Sequence, residues 1–242
     1  MRIAVLMPAF NEGGRLARTL AELRSASADA DVTVFLVDDG SAPPIDEASL
    51  IEASSGMRVV IARHAVNLGQ GAAIETARRL ALDPRWRPAG GAFEAYVTMD
   101  SDGQHRGDDV LALARAIRAG ADVALGDRFA GKSDVPRSRR VLLGLARAFE
   151  RALTGARLAD AHNGLRAFGP RAIERMQIRQ NRMAHATEIT RRISQSTRLV
   201  VVEVPVSVRY TDESLAKGQR ASGAVAIVVD LFHGFLFRSE PR

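Results

Sequence analysis

The chain has 242 residues, 46% of them hydrophobic and 26% charged, as in an ordinary globular protein. Its lack of cysteine excludes disulfides, thiolate catalysis and cysteine-based zinc sites. The net charge of +6 hides an asymmetry: residues 1–134 carry 15 Lys/Arg against 19 Asp/Glu, and residues 135–242 carry 19 against 9.

The basic second half fits an anionic lipid or a phosphate-bearing substrate. Nucleic acid is not expected as a partner, because only 5% of residues are aromatic and no basic stripe interleaves with them. The N-terminal apolar run turns polar at Asn11 and is too short for the core of a signal peptide. We therefore expect a first strand there and a cytoplasmic protein.

Short apolar runs alternate with amphipathic or alanine-rich stretches through the first half. The predicted strands are 3–7, 32–37, 59–62, 96–99 and 123–125, and the predicted helices lie near 12–27, 46–55, 70–83 and 108–119. This alternation predicts an α/β domain with a mostly parallel central sheet flanked by helices. Ligands of such sheets bind beyond the carboxyl ends of the strands.

The second half is less regular. It predicts a helix near 138–154, a short segment DAHNGLRAF, a helix around 184–196, a strand over 199–208 and an apolar helix over 224–237. The helix over 138–154 has one apolar and one arginine-rich side, which fits packing on a core or lying on an anionic bilayer. The last helix is shorter than the about 20 residues that span a bilayer. It fits a core, homodimer or membrane contact.

The segment DSDGQ follows the fourth predicted strand. In extended backbone, residues two apart point to the same side, so Asp100 and Asp102 are aimed at one place. The segment fits an ordinary turn, since Asp, Ser and Gly form turns. It also fits a site for Mg²⁺ or Mn²⁺, which carboxylates and substrate phosphates hold together. Gln104 would supply a further oxygen.

Polar segments also follow the other strands. Asp38 and Asp39 belong to DDGS after strand two, where one of the two carboxylates is expected to face a cleft. NEGG follows strand one and NLGQG follows strand three. NLGQG lacks both the dinucleotide-binding and the P-loop patterns, so by itself it carries little weight.

Six segments follow one another along the chain: PAFNE, DDGS, NLGQG, DSDGQ, GDR and DAHNGLR. In these segments and their order, the chain resembles the family 2 inverting glycosyltransferases, which have the A-type nucleotide-sugar fold. The nearest likeness is to polyprenyl-phosphate sugar synthases of the dolichyl-phosphate mannose synthase type. The resemblance implies a donor that is a nucleotide-diphosphate sugar, UDP- or GDP-linked, and Mg²⁺ or Mn²⁺ at Asp100, Asp102 and Gln104. The residues expected at the donor site are Pro8, Ala9, Phe10, Glu12, Asp38, Asp39, Gly71, Asp100, Ser101, Asp102, Arg166 and Lys217.

The acceptor that the resemblance implies is a polyprenyl phosphate, reached by peripheral contact with the inner face of the membrane in cell-envelope glycan synthesis. The segment DAHNGLR differs from the family's acceptor-side motif at Asn163 and Leu165. Asp160 and Glu188 are the candidate bases, needed if the acceptor is a soluble hydroxyl compound. The catalytic domain is expected to span 1–220, with an amphipathic helix over 221–242.

Two other classes of function fit parts of this pattern. A nucleotidyltransferase also uses paired acids and a metal ion, but FNEGGRLART is a poor match to the glycine-rich loop of those enzymes. A protein that binds nucleotide sugars without turnover stays open, because binding residues alone do not demonstrate catalysis.

Overall fold

The computed structural model describes residues 1–130, 160, 163–181, 184–196 and 198–209. Its strands are β1 Arg2–Ala9, β2 Asp31–Asp38, β3 Arg58–Arg63, β4 Ala95–Thr98, β5 Val123–Asp127, β6 Arg166–Phe168 and β7 Val201–Pro205. Its helices are α1 Gly14–Ala26, α2 Glu47–Ala53, α3 Gln70–Leu82, α4 Gly107–Arg118, α5 Pro170–Arg175 and α6 Ala184–Gln195, with a 3₁₀ turn at Pro84–Trp86. Four of the sequence predictions lie outside the described residues: the helices 138–154 and 224–237, Lys217 and the domain boundary at 220.

The described strands form one sheet in the order β3-β2-β1-β4-β6-β5-β7. β6 runs antiparallel to both of its neighbours, and every other described pairing is parallel. The mostly parallel sheet that the sequence predicted is therefore confirmed. The carboxyl ends of β1, β2 and β4 meet at one edge, which is where parallel sheets bind ligands.

Helices cover both faces of the sheet, so its strands are buried on both sides. Along β1, Ile3, Val5 and Met7 join an apolar layer with α1, α2 and α4. Ala4 and Leu6, which point the other way, join a layer with α3, α5 and α6. This explains why β1 reads as a continuous apolar run instead of an alternating one.

The second half departs from the prediction in two places. The strand expected over 199–208 is shorter, Val201–Pro205, and the segment DAHNGLRAF contains β6, which was not predicted. Three residues are too few for a readable period, and β6 exists because β4 and β5 both pair with it. Its insertion brings the residues before it to the edge of the sheet where β4 ends.

Candidate active site

The loops after β1, β2, β3 and β4 surround a cleft of about 500 Å³. Its wall is formed by Pro8, Ala9, Phe10, Glu12, Asp39, Asn67, Gly69, Gln70, Asp100, Ser101 and Asp102. Eight of the twelve residues expected at the donor site are among these. Of the other four, Asp38, Gly71 and Arg166 lie elsewhere and Lys217 is outside the described residues.

The turn after β1 is locked to the turn after β2. The backbone N–H of Asn11 donates to Ser41 Oγ at 3.0 Å, and Asn11 Oδ1 accepts from the N–H of Ala42 at 2.9 Å. These bonds hold Asn11 at a φ of 55°, which few non-glycine residues adopt. They leave Phe10 with 44% of its surface exposed at the cleft. An aromatic ring placed this way can pack against a flat ligand group.

Ser101 anchors the acid pair from the middle. Its hydroxyl donates to the carbonyl of Pro8 at 2.8 Å, and its carbonyl accepts from Thr19 Oγ1 at 3.2 Å. The carboxylates on either side of this buried serine lie on the cleft wall. Gln104 donates to both oxygens of Asp102, from its N–H at 3.0 Å and from Nε2 at 2.6 Å. Gln104 therefore lies against Asp102, and its role as a ligand to the metal stays a prediction.

The carboxylate of Asp100 is held from several sides. Gln70 Nε2 donates to its Oδ1 at 2.8 Å, and His105 Nδ1 lies 3.9 Å from its Oδ2. A side chain at Gly164 would place its Cβ 3.0 Å from Asp100 Cγ, so only glycine fits there without displacing the acid. Burial raises the pKa of Asp100; His105 opposes this rise, and Asp102 reinforces it. A bound cation would offset the cost of burying the Asp100 charge and the repulsion between Asp100 and Asp102.

Asp39 is the acid of DDGS that faces the cleft. Its Oδ1 accepts from His64 Nδ1 at 2.7 Å and from the N–H of Leu68 at 2.9 Å. Its Oδ2 accepts from Asn67 Nδ2 at 3.0 Å and from the N–H of Gly69 at 2.7 Å. A carboxylate has about four lone-pair sites, and all four are occupied here. Asp39 thereby shapes the loop that forms the next part of the wall.

Two residues expected at the donor site lie behind the wall. The carboxylate of Asp38 accepts from the N–H of Ser41 at 2.9 Å and lies 3.7 Å from Arg63 Nε, so it stabilises the turn after β2. Gly71, on α3, packs closely against His185, with 3.0 Å between its would-be Cβ and that side chain. Both residues support the cleft and do not line it.

Asp160 is buried in an ion pair. Its Oδ2 accepts from Arg128 Nε at 2.5 Å, from the N–H of Arg128 at 3.2 Å and from Asn163 Nδ2 at 3.3 Å. Arg166 is also buried, in β6, and with Arg128 it opposes the rise that burial causes in the pKa of Asp100. The GDR and DAHNGLR segments therefore bring two guanidinium groups close enough to Asp100 to favour its charged form.

Glu188, the second candidate base, is occupied by backbone groups. Its Oε2 accepts from the N–H groups of Arg179 and Gln180, each at 2.8 Å. Its Oε1 accepts from Arg192 Nη2 at 2.8 Å. This carboxylate holds the chain before α6 and does not line the cleft.

The sequence analysis missed Asn67, Gly69 and Gln70 of the loop after β3, and expected only Gly71 of that segment at the donor site. Asn67, Gly69 and Gln70 line the cleft, although NLGQG matches no nucleotide-binding pattern. The signal for these three residues was position: the segment follows a predicted parallel strand and precedes a helix, as the polar segments after the other strands do. Gly164 was missed as well, because its proximity to Asp100 depends on β6.

The residues of the cleft could bind a divalent cation together with the phosphates of a substrate. Among the described residues, no group of three or more His, Cys, Asp or Glu side chains could hold a metal ion. Mg²⁺ characteristically takes one or two carboxylates and completes its shell with waters and substrate phosphates. Asp100 and Asp102 offer that set, and 32% of the Asp100 side chain is exposed.

The family model that matches this chain, and two of the relatives that match it, are those of glycosyltransferases. The family model described as Glycosyl transferase family 2 matches residues 4–177. The undecaprenyl-phosphate mannosyltransferase of Micrococcus luteus is 27% identical over 95% of this chain and 91% of its own length. The UDP-N-acetylglucosamine–dolichyl-phosphate N-acetylglucosaminyltransferase of Methanococcus voltae is 27% identical over 89% of each chain.

Among solved structures, glucosyl-3-phosphoglycerate synthase from Mycobacterium tuberculosis, in complex with Mn²⁺, UDP and phosphoglyceric acid, has the same fold. The TM-score is 0.64 at 16% identity, covering 96% of this chain and 77% of that one. The A-type glycosyltransferase fold is thereby confirmed. In the part of the chain that the structure describes, no helix has both the length and the hydropathy needed to cross a membrane.

Proposed function

Because the chain belongs to glycosyl transferase family 2 and is a glycosyltransferase, we propose that it moves a sugar from a nucleotide-diphosphate donor to a polyprenyl phosphate. The reaction would invert the anomeric carbon. An acceptor oxygen forms a bond to that carbon, and the bond to the donor diphosphate breaks with its electron pair. The observation that carries the proposal is the Asp100–Asp102 pair on the wall of a cleft at the carboxyl ends of β1, β2 and β4.

The donor would lie across the sheet edge. Its nucleoside would pack against the wall from Pro8 to Glu12, with the exposed ring of Phe10 against the base. The loop after β3, which Asp39 holds in place, would lie beside the nucleoside. Its diphosphate would lie toward Asp100 and Asp102. A Mg²⁺ or Mn²⁺ ion bound there would neutralise charge that develops on the leaving diphosphate. Transfer from a GDP-linked and from a UDP-linked donor distinguishes guanine from uracil as the base.

The engagement of the candidate bases supports an acceptor that is already ionised. Asp160 is paired with Arg128, and Glu188 accepts from backbone N–H groups and Arg192. On the cleft wall, Glu12 is paired with Arg15 at 2.8 Å. A hydroxyl acceptor needs a base to take its proton, whereas a phosphate monoester oxygen does not. Two relatives named for undecaprenyl-phosphate and dolichyl-phosphate acceptors point the same way.

A lipid acceptor also requires contact with a membrane surface. The net charge of +10 over residues 135–242 supports attraction to anionic lipid, worth about 1 kcal/mol for each basic residue near the surface. This attraction is electrostatic and should fade at high salt, where the screening length is about 3 Å at 1 M. Co-sedimentation with anionic and neutral liposomes at low and high salt measures it.

The test is transfer of radiolabelled sugar from GDP-mannose and from UDP-N-acetylglucosamine, with Mn²⁺, to undecaprenyl phosphate in detergent. Undecaprenol, which has the same chain but a hydroxyl end, is the matched acceptor. We expect a chloroform-extractable product from the phosphate and none from the alcohol. Asp102→Ala should abolish this product without loss of folding. The substitution removes one ligand of the cation and thereby weakens binding of the diphosphate that the cation holds.

Three results would count against the proposal. Equal transfer to undecaprenol would mean that a base acts after all. Wild-type turnover by Asp102→Ala with saturating donor and Mn²⁺ would remove the acid pair from the chemistry. Binding of nucleotide sugars without transfer to either lipid would favour a non-catalytic binding protein.

A further inference from the structure

Gln70 links the loop after β3 to the acid pair after β4. Its side-chain Nε2 donates to Asp100 Oδ1 at 2.8 Å, and it is the first residue of α3. We propose that Gln70 is a positioning residue, which fixes the Asp100 carboxylate for a divalent cation and the donor diphosphate. This inference rests on the proposed function and assigns a role to a residue outside the acid pair itself.

The backbone that carries Gln70 is fixed from the side of β2. The four hydrogen bonds to Asp39 fold residues 64–69 around one buried carboxylate. His64 contributes twice, since its Nδ1 contacts Asp39 and its Nε2 lies 3.0 Å from Thr76 Oγ1 on α3. The loop and the first turns of α3 are therefore tied into one unit, and Gln70 lies at the junction.

A second tether reaches the same loop from the other half of the chain. Asn181 Oδ1 accepts from the N–H of Ala72 at 3.2 Å, and its Nδ2 donates to the carbonyl of Leu68. Gly69 adopts a φ of 97° between these points, and a Cβ there would lie 3.0 Å from Asn181 Cγ. The close approach thus needs glycine at this position. Gln70 follows directly, so its backbone has little freedom to move.

This rigidity matters because Asp100 is confined between two neighbours. Gln70 contacts Oδ1 of the carboxylate, and a Cβ at Gly164 would come closest to Oδ2. Removing the amide donor leaves Oδ1 of Asp100 without that hydrogen bond and lets the carboxylate rotate. Loss of a partner that orients a metal-ligating residue typically reduces metal affinity by 10-fold to 100-fold.

The test is titration of the free protein with Mn²⁺, without donor, following unbound Mn²⁺ by electron paramagnetic resonance. The variants are Gln70→Leu, which keeps the size and removes the donor, and Gln70→Asn, which keeps the amide but shortens its reach. Gln195→Leu, an exposed glutamine at the end of α6, is the matched control. We expect Mn²⁺ binding about 10-fold weaker in both Gln70 variants and unchanged in the control.

A second readout is the Mn²⁺ dependence of transfer. The Mn²⁺ concentration for half-maximal rate should rise by the same factor in both Gln70 variants and stay unchanged in Gln195→Leu. If Gln70→Leu binds Mn²⁺ as tightly as Gln195→Leu, while Asp102→Ala has lost binding, the role of Gln70 is wrong and the metal assignment stands. If wild type and Asp102→Ala bind Mn²⁺ equally, the acid pair is not the metal site and the proposed function fails at that point.

Discussion

The tight approach of Gly164 to Asp100 offers a way to disturb the acid pair without touching an acid. Gly164→Ala would place a methyl carbon 3.0 Å from Asp100 Cγ, whereas carbon atoms in contact are normally about 3.5–4.0 Å apart. The carboxyl group must therefore move by at least about 0.5 Å. Gly164 does not adopt a positive φ, so alanine fits its backbone.

The expected effects on stability and activity differ in size. Moving the end of one aspartate side chain off its rotamer costs about 0.5–1.5 kcal/mol. Replacing glycine by alanine at a compatible position returns about 0.4–1 kcal/mol by restricting the unfolded chain. The free energy of unfolding should thus change by less than about 1 kcal/mol. A misplacement of about 1 Å costs about 100-fold in rate, so half of that predicts a loss of about 10-fold or more in kcat/KM.

The assay is transfer to undecaprenyl phosphate, with the free energy of unfolding measured by urea denaturation. Gly14→Ala is the matched control, because a Cβ at Gly14, the first residue of α1, meets nothing within 4 Å. It should leave activity unchanged. Wild-type kcat/KM for Gly164→Ala would refute the reasoning, since the position of the Asp100 carboxylate would then not matter. A loss of several kcal/mol in stability would mean that the backbone moved instead of the acid.

Two further predictions concern buried charge. Arg78 and Arg79 both donate to Glu75, but 7% of the Arg78 side chain is exposed against 75% of that of Arg79. Arg78→Met should therefore cost about 3–5 kcal/mol of unfolding free energy and Arg79→Met about 1 kcal/mol or less; equal losses in urea denaturation would contradict this. For pH, burial raises the pKa of Asp100, and a protonated carboxyl group cannot hold a cation. Mn²⁺ affinity should fall as the pH drops through that raised pKa, starting above the ordinary carboxyl range near 4, and Asp100→Asn should flatten the profile.

Local pattern was enough to predict the α/β class, the strands of the first half and the paired acids. Apolar runs and helical periods are properties of neighbouring residues, and so is the spacing that points Asp100 and Asp102 to one side. Because parallel strands bring their carboxyl ends together, the order of the polar segments also predicted where a cleft would form. The resemblance to family 2 glycosyltransferases rested on the same segments.

Tertiary structure decided which polar groups are available at that cleft. Asp39 is bonded to a loop about 30 positions along the chain, and Asp160 to Arg128 at 32 positions. Gln70 and Gly164 reach Asp100 from 30 and 64 positions away on either side of it. Hydrogen bonding and close approach over such separations depend on how β6 inserts and where α3 begins. No local period encodes them, because they exist only when distant segments are packed together.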